Sequence, residues 1–223
     1  MSEVKLVSVS KPSAQTSCNT AEELIAYAAR VSNPGNQNNA ATAPKLLKYL
    51  AKHQHWSPFE MVSVTLEIKT TRDISRQIIR HRSFSFQEFS QRYAISSDFC
   101  VRDCRLQDPQ NRQASHAIDK TDPAQRELAE MWRMKQIEIN KLVSTTYEWA
   151  LSNGIAKEQA RAILPEGNTE TTLYMAGTLR SWIHYCDLRC GIETQLEHRV
   201  VAEQCWNIIQ QHFPSLEEVL QVN

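Results

Sequence analysis

Polar and apolar residues alternate most cleanly between residues 59 and 69, where Val62, Val64, Leu66 and Ile68 interleave with Ser63, Thr65, Glu67 and Lys69. A period of two places the first set on one face of a strand, so a half-buried strand of an antiparallel sheet is expected. A shorter strand is expected over residues 4–9 from its Val and Leu content. Elsewhere the spacing is helical. Thr20-x-x-Glu23 forms a capping box ahead of a helix through about residue 32, with Leu24, Ile25, Ala28 and Ala29 inward. The run from Asn33 to Asn39 is rich in Asn, Pro and Gly and reads as a loop. Thr42 is placed to cap a helix over residues 43–53, with Pro44 tolerated in its first turn.

Residues 71–79 read as helix, residues 83–93 mix aromatic and polar positions without a period, and residues 94–121 read as irregular. Asp122-Pro123 opens the longest helix, since Asp is a good N-cap and Pro suits the first turn; it is expected to reach Asn153, with Gly154 as its stop. A short helix over residues 157–164 ends at Pro165, Asn168 is placed to cap another through about residue 186, and the last covers about 193–212. Neither repeats nor an obvious linker interrupts the pattern. The expectation is one α+β domain over residues 1–223, helix-rich, with a small, mostly antiparallel sheet packed with long helices.

Composition sharpens this picture. Only 5 of 223 residues are Gly, which disfavours a turn-rich all-β fold. Lys plus Arg and Asp plus Glu both number 25, and zero net charge weighs against a protein that coats nucleic acid or an acidic membrane. No apolar run approaches the length of a membrane span, and Met1-Ser2-Glu3-Val4-Lys5 lacks the order of a signal peptide, so a cytoplasmic setting with reduced thiols is expected for the six Cys. Cys100/Cys104 and Cys186/Cys190 have the wrong spacing for a zinc ribbon, and His53 and His55, two apart, cannot share a helix face; no metal is expected.

Against this neutral background one segment stands out. Arg72, Arg76, Arg80, His81, Arg82 and Arg92 fall within 21 residues, offset there only by Asp73 and Glu88. Arg72, Arg76 and Arg80 would line one face of a persistent helix, either as a solvated row paired with acids elsewhere or as phosphate ligands. Arg80-His81-Arg82 points three cationic or near-cationic groups in different directions at a helix end, beside apolar Ile78-Ile79. That favours a pocket for a small anionic, phosphorylated molecule. The following Ser83-Phe84-Ser85-Phe86-Gln87-Glu88-Phe89-Ser90-Gln91-Arg92-Tyr93 adds hydroxyls, amides and aromatics suited to a flat, hydrogen-bonding ring.

Arg80-His81-Arg82, seven residues, then Ser90, followed by Arg92-Tyr93, resembles the Arg-His-Arg-x7-Ser signature of the flavin-dependent thymidylate synthases. Further resemblances occur in order from about residue 20 to 210: Ala29-Arg30-Val31-Ser32, His53-x-His55-x-Ser57-Pro58-Phe59-Glu60, Gln77, Ala160-Arg161-x-x-Leu164-Pro165, Leu179-Arg180-Ser181 and Leu188-Arg189. The resemblance implies a homotetramer with active sites shared between subunits, making dTMP from dUMP. It implies 5,10-methylenetetrahydrofolate as carbon donor, FAD as hydride carrier and NADPH as reductant.

By position it also implies that Gln77, Ile78, Ile79, Arg80, Glu88, Phe89, Ser90, Gln91, Arg92, Arg161 and Arg189 meet dUMP, with Arg161 donated by a neighbouring subunit. Ser32, Ser57, Glu60, Arg80, His81, Arg82, Ser83, Glu88, Thr178, Leu179, Arg180 and His184 are implied at FAD, and His55 at the border of flavin and folate. Arg189 is the candidate catalytic cation for a uracil ring gaining negative charge. Ser90 reads as a substrate-binding hydroxyl in preference to a nucleophile, because no base is legible beside it. Gln87 stands where relatives often carry Asn, and Thr178 and His184 stand where some use Asn; His184 still donates and accepts, so retained flavin binding with altered geometry is expected.

Two rival readings use the same residues. One is a nucleic-acid module stacking bases on Phe84, Phe86 and Phe89; the other is a flavin- or nucleotide-binding regulator without turnover. Trp132, Trp149, Trp182 and Trp206 read as core or subunit-interface anchors, and His198 and His212 as surface or core residues.

Overall fold

The structure is a computed structural model describing residues 2–96, 98–217 and 219. The chain forms two compact units, the first built from Lys69–Arg76 and Glu88–Thr172, the second from Ser2–Ile68, Gln77–Gln87 and the chain from Leu173 onward. A four-stranded sheet has the order β1 (Glu3–Val9), β2 (Ser63–Thr71), β6 (Glu170–Thr178), β3 (Ser85–Glu88). Hydrogen bonds fix its directions. Ser10 N donates to Ser63 O, Leu179 N to Val62 O, Arg72 N to Thr169 O and Phe89 N to Thr172 O. Numbers rise on β2 as they fall on β6, and the end of β1 meets the start of β2 as the end of β3 meets the start of β6, so the sheet is antiparallel and the fold is α+β.

Within the second unit, the alternation expected for β2 is observed, with Val64, Leu66 and Ile68 fully buried. Helix α1 (Ala21–Ala29) is capped by Thr20, whose Oγ1 accepts from Glu23 N at 3.1 Å; the Glu23 carboxylate accepts in turn from Asn19 N at 2.6 Å. The helix stops short of residue 32; Ile25 is buried as expected, together with Ala26, while Leu24, Ala28 and Ala29 are half-buried. Arg30, at its C-cap, is buried, and its guanidinium donates to Asn39 O at 2.5 Å and Thr42 Oγ1 at 2.8 Å. Thr42 therefore does not cap α2 (Ala43–Lys52), because its hydroxyl serves Arg30 instead. Helices α6 (Leu179–Arg189) and α7 (Leu196–His212) complete this core, which is centred on Trp182, Trp206, Phe59 and Phe213.

The largest departure from expectation lies over residues 168–178. The helix expected from Asn168 is the strand β6, and α6 begins only after Thr178, whose Oγ1 accepts from Ser181 N at 3.3 Å. Thr169, Thr171 and Thr172 lose side-chain freedom in a helix, and Thr171, Leu173 and Met175 alternate as buried residues. The Asn168 amide donates to Asn140 Oδ1 at 3.1 Å and caps nothing. The strand β3, within the segment of no clear period, and the hairpin β4 (Arg105–Gln107)/β5 (Ser115–Ala117) also went unanticipated.

The first unit also carries α3 (Arg72–Ile78) up to Arg76, the 30-residue α4 (Pro123–Ser152) and the short α5 (Lys157–Ala160). Asp122 caps α4 as expected, accepting from Ala124 N at 2.9 Å. Gly154, at φ +79°, ends it: Gly154 N donates to Leu151 O and Ile155 N to Ala150 O, a Schellman closure. Along α4, Leu128, Met131, Trp132, Ile139, Leu142 and Trp149 are all exposed, whereas Trp182 and Trp206 are core. No helix of the described residues is long and apolar enough to cross a membrane.

Gly177 on β6 packs directly under Phe84, and a Cβ there would lie 2.4 Å from Phe84 Cδ1. A ring held on one side by Trp182, with centroids 4.8 Å apart, has little room to retreat. Gly177→Ala is expected to lower unfolding free energy by about 1–3 kcal/mol, measured by denaturant unfolding; an unchanged midpoint would show that Phe84 repacks freely.

Candidate active site

The Arg-rich segment separates into matched and unmatched cations. Helix α3 ends at Ile78, so Arg72 and Arg76 share a face while Arg80 lies in the turn beyond it. In the first unit, Glu88 Oε1 accepts from Ser75 Oγ at 2.7 Å and Thr171 Oγ1 at 3.1 Å, and Arg72 Nη1 lies 3.6 Å away. Glu88 Oε2 accepts from Arg76 Nη1 at 3.3 Å, while Arg76 Nε lies 3.6 Å from Glu166. Burial lowers the Arg72 pKa from its ordinary value and the Glu88 charge opposes that shift. Of the two readings of the arginine row, pairing with acids is thus the one that holds for Arg72 and Arg76.

The remaining candidates of the first unit lie on exposed or turn positions. Arg92 Nη2 lies 3.6 Å from Glu158, and Arg161 Nε donates to the Glu158 carbonyl at 3.3 Å, so both arginines meet at one residue. The Arg92 pair is more than half exposed on both sides and contributes little, which leaves its guanidinium free to exchange partner for another anion. Ser90 Oγ accepts from Arg92 N at 3.4 Å, Gln91 is buried with its amide donating to Ser96 Oγ at 3.4 Å, and Phe89 is exposed.

In the second unit the Arg80-His81-Arg82 turn leaves α3 with His81 N donating to Ile78 O and Phe84 N to His81 O. It is fastened to α6, where Phe84 packs on Trp182 and Ser181 Oγ donates to Ser83 O at 3.3 Å. Phe84 is thus a packing residue of this unit. Arg80 and Arg82 are exposed, and neither makes a hydrogen bond or ion pair among the described residues. Two cations left unmatched beside the Ser83 hydroxyl form a donor set that suits a phosphorylated group.

His81 is the pivot of this turn. Its Nε2 accepts from Arg189 Nε at 3.0 Å, and because a guanidinium only donates, His81 is the neutral tautomer with its proton on Nδ1. Burial, then the charges of Arg189 and Arg80, depress its pKa to about 4. Gln77 bonds to His198 and Gln195. Ile78 and Leu179 are fully buried, and Leu179 N–H is already bonded to Val62 O; Ile79 is half-buried.

Of the residues implied at the flavin, several gather at the start of α6. Arg180 pairs with Glu60 on the turn Ser57–Met61, and the rings of Trp56 and His184 meet edge-on with centroids 5.0 Å apart. Thr178 caps α6, so its hydroxyl oxygen is engaged. Ser57 and His55 are exposed, His55 lying within 6.2 Å of the Tyr49 and His53 rings. Ser32 is exposed in the turn after α1. Ser75, Thr171, Tyr185, His198 and Gln195 hold these candidates in place and were not singled out for such a role from sequence. Ser75, one turn from Arg72 on α3, had a legible spacing, whereas Thr171 was hidden by the helix expected over β6.

The model of the family described as "Thymidylate synthase complementing protein" matches residues 15–215. The chain is 49% identical over 217 residues to a probable flavin-dependent thymidylate synthase of Paramecium bursaria Chlorella virus 1, covering 97% of each chain. The chain belongs to the flavin-dependent thymidylate synthase family. Another member, from Synechocystis, is 45% identical over 98% of this chain and 99% of its own. Among solved structures, the UMP/dUMP methylase PolB of Streptomyces cacaoi bound with 5-Br dUMP superposes with a TM-score of 0.80 at 26% identity, covering 98% of this chain and 94% of that one. The Arg-His-Arg-x7-Ser spacing is therefore carried on a flavin-dependent thymidylate synthase chain.

Two outcomes follow from these charges. Glu88→Gln leaves Arg72 buried without its counter-charge and is expected to cost about 3–5 kcal/mol of unfolding free energy. A Ser75→Ala loss of about 1 kcal/mol is the comparison in the same denaturant titrations, and equal losses would refute the ion-pair role. The folded chain also holds His81 neutral down to about pH 4, against an ordinary value of 6.5. On acidification the unfolded chain takes up its proton first, so stability is expected to fall as pH drops from about 6.5 toward 4. His81→Asn should flatten that slope by close to one proton in unfolding measured across this range; an unchanged slope would assign the proton elsewhere.

Proposed function

We propose that this chain, acting as one catalytic domain over residues 1–223, converts dUMP to dTMP. The balanced reaction is dUMP + 5,10-methylenetetrahydrofolate + NADPH + H⁺ → dTMP + tetrahydrofolate + NADP⁺. The observation that carries this reading is the Arg189 guanidinium held on neutral His81, inside the signature turn of a flavin-dependent thymidylate synthase chain. The methylase neighbour bound with 5-Br dUMP supports a uridine monophosphate as substrate.

In this reading Arg189 is the catalytic cation, fixed beside the pyrimidine where negative charge develops. The His81 lone pair orients it without adding a second charge. Ser90, Arg92 and Arg161 bind the phosphate, with Arg161 coming from a neighbouring subunit, while Gln77, Ile78, Ile79, Arg80, Glu88, Phe89 and Gln91 surround the nucleotide. Glu88, oriented by Arg72, Arg76, Ser75 and Thr171, keeps a fixed acceptor geometry. Ser32, Ser57, Glu60, Arg80, His81, Arg82, Ser83, Glu88, Thr178, Leu179, Arg180 and His184 hold FAD, and His55 borders flavin and folate. The unmatched Arg80 and Arg82 fit its diphosphate. FAD held by these residues would supply the hydride-transfer chemistry.

A homotetramer with shared active sites would cover the exposed Trp132, Leu142 and Trp149 of α4, since large apolar side chains left exposed along one helix suit an interface. Six free thiols suit a cytoplasmic setting.

The visible spectrum of the purified protein tests the reading first. A flavin spectrum is expected that bleaches with anaerobic NADPH, followed by dTMP formation from dUMP, with UMP as the control substrate. Arg189→Ala should retain flavin and lower kcat by about 10²–10³-fold. A colourless protein that takes up no added FAD overturns the redox reading, and an Arg189→Ala variant with normal kcat overturns the role of that residue.

A further inference from the structure

Gln77 does not stand alone in the second unit. His198, on the first turn of α7, has no exposed surface, yet both its ring nitrogens are bonded: Nε2 to the Tyr185 hydroxyl at 3.1 Å and Nδ1 to Gln77 Oε1 at 3.2 Å. Gln77 Nε2 donates to Gln195 Oε1 at 2.7 Å, and Gln195 Nε2 donates to the Glu197 carboxylate at 2.9 Å. We infer that His198, with Tyr185, Gln195 and Glu197, forms a positioning relay that fixes which way the Gln77 amide faces a bound nucleotide. The inference rests on the proposed contact between Gln77 and dUMP.

The direction of the relay follows from its last member. A carboxylate can only accept, so Gln195 must turn its NH₂ toward Glu197 and its carbonyl toward Gln77. Gln77 then turns its NH₂ toward Gln195 and its carbonyl toward His198. His198 must carry its proton on Nδ1 to donate there, which leaves Nε2 as the acceptor for the Tyr185 hydroxyl. Reversing the Gln77 amide alone would set N–H against N–H at His198 and oxygen against oxygen at Gln195. Each amide and the imidazole thus has one allowed orientation. Gln77 keeps one N–H and one carbonyl lone pair outside the relay, at positions that cannot interchange.

A side chain freely rotating its amide would offer a ligand either a donor or an acceptor at each site. One locked in a single orientation offers a defined pattern at no ordering cost when the ligand arrives. A fully buried histidine that only filled the core would have no such effect: replacing it by an apolar group of similar size would change folding stability and leave nucleotide affinity alone.

The experiment compares Gln77→Ala, His198→Leu, His198→Asn and Gln195→Ala in the FAD-loaded full chain. It measures thermal unfolding, flavin absorbance, dUMP Kd by titration, and KM and kcat for dUMP. His198→Leu and Gln195→Ala are expected to raise dUMP Kd and KM by about tenfold with kcat within about twofold, flavin retained. His198→Asn should stay within about threefold of the parent, because its amide N–H replaces the Nδ1 donor. If His198→Leu does not fold, Gln195→Ala at the half-buried start of α7 carries the same expectation. Weaker dUMP binding in Gln77→Ala with unchanged binding in both His198→Leu and Gln195→Ala overturns the relay and leaves the dUMP reading intact. Unchanged binding in Gln77→Ala overturns the Gln77 contact itself, and the relay with it. Equal loss of dUMP affinity in His198→Asn and His198→Leu shows that the Nδ1 donor is not what orients Gln77 and also overturns the relay.

Discussion

The half-buried carboxylate of Glu88 determines what the arginine-rich segment is able to do. Two guanidinium groups and two hydroxyls converge on it, and its side chain is 15% exposed. For buried Arg72 that ion pair is an obligation, because its guanidinium alone would be a desolvated charge. Arg72 and Arg76 are consequently committed to the structure, whereas the exposed Arg80 and Arg82 have no such partner among the described residues. Had charge density alone decided, all of the arginines would have been equivalent. Burial and partner supply separate Arg72 and Arg76, held by Glu88, from the exposed Arg80 and Arg82.

Desolvation also sets the protonation of the imidazoles. His81 lies between Arg189 and Arg80, and His198 is fully buried, so both are held neutral, with pKa values depressed to about 4 and about 3. Neutral imidazole has a donor side and an acceptor side, and that asymmetry propagates. At His81 it leaves a lone pair for Arg189; at His198 it gives an N–H to Gln77 and a lone pair to Tyr185. The packing that enforces neutrality is aromatic. The edges and faces of Phe84, Trp182 and Tyr185 enclose the signature turn, with Gly177 as the only residue small enough to admit Phe84.

Much of the fold was legible in residue order. The strand at residues 62–68 showed a strict period of two, the caps at Thr20 and Asp122 and the stop at Gly154 each had a local stereochemical cause, and all behave as local rules require. Local reasoning failed where a local donor or acceptor had a better tertiary partner. Thr42 serves buried Arg30 in place of α2, and Asn168 bonds Asn140 in place of capping a helix. Residues 169–178 form a strand because the sheet offers hydrogen-bonding neighbours on both sides, β2 and β3. No short window of sequence contains those neighbours.

For the candidate site the division is similar. The sequence by itself determined which residue types are available and where the cations cluster, because the Arg-His-Arg-x7-Ser spacing and the neutral overall charge are properties of the chain alone. Only the tertiary structure decided their condition: that Arg72 and Arg76 are matched, that Arg80 and Arg82 have no partner among the described residues, that His81 is an acceptor for Arg189, and that the Gln77 amide is bonded to His198 and Gln195. Charge state and hydrogen-bond direction depend on burial and on partners 12 to 121 positions away in the chain. Those distances close only when the helices and strands pack.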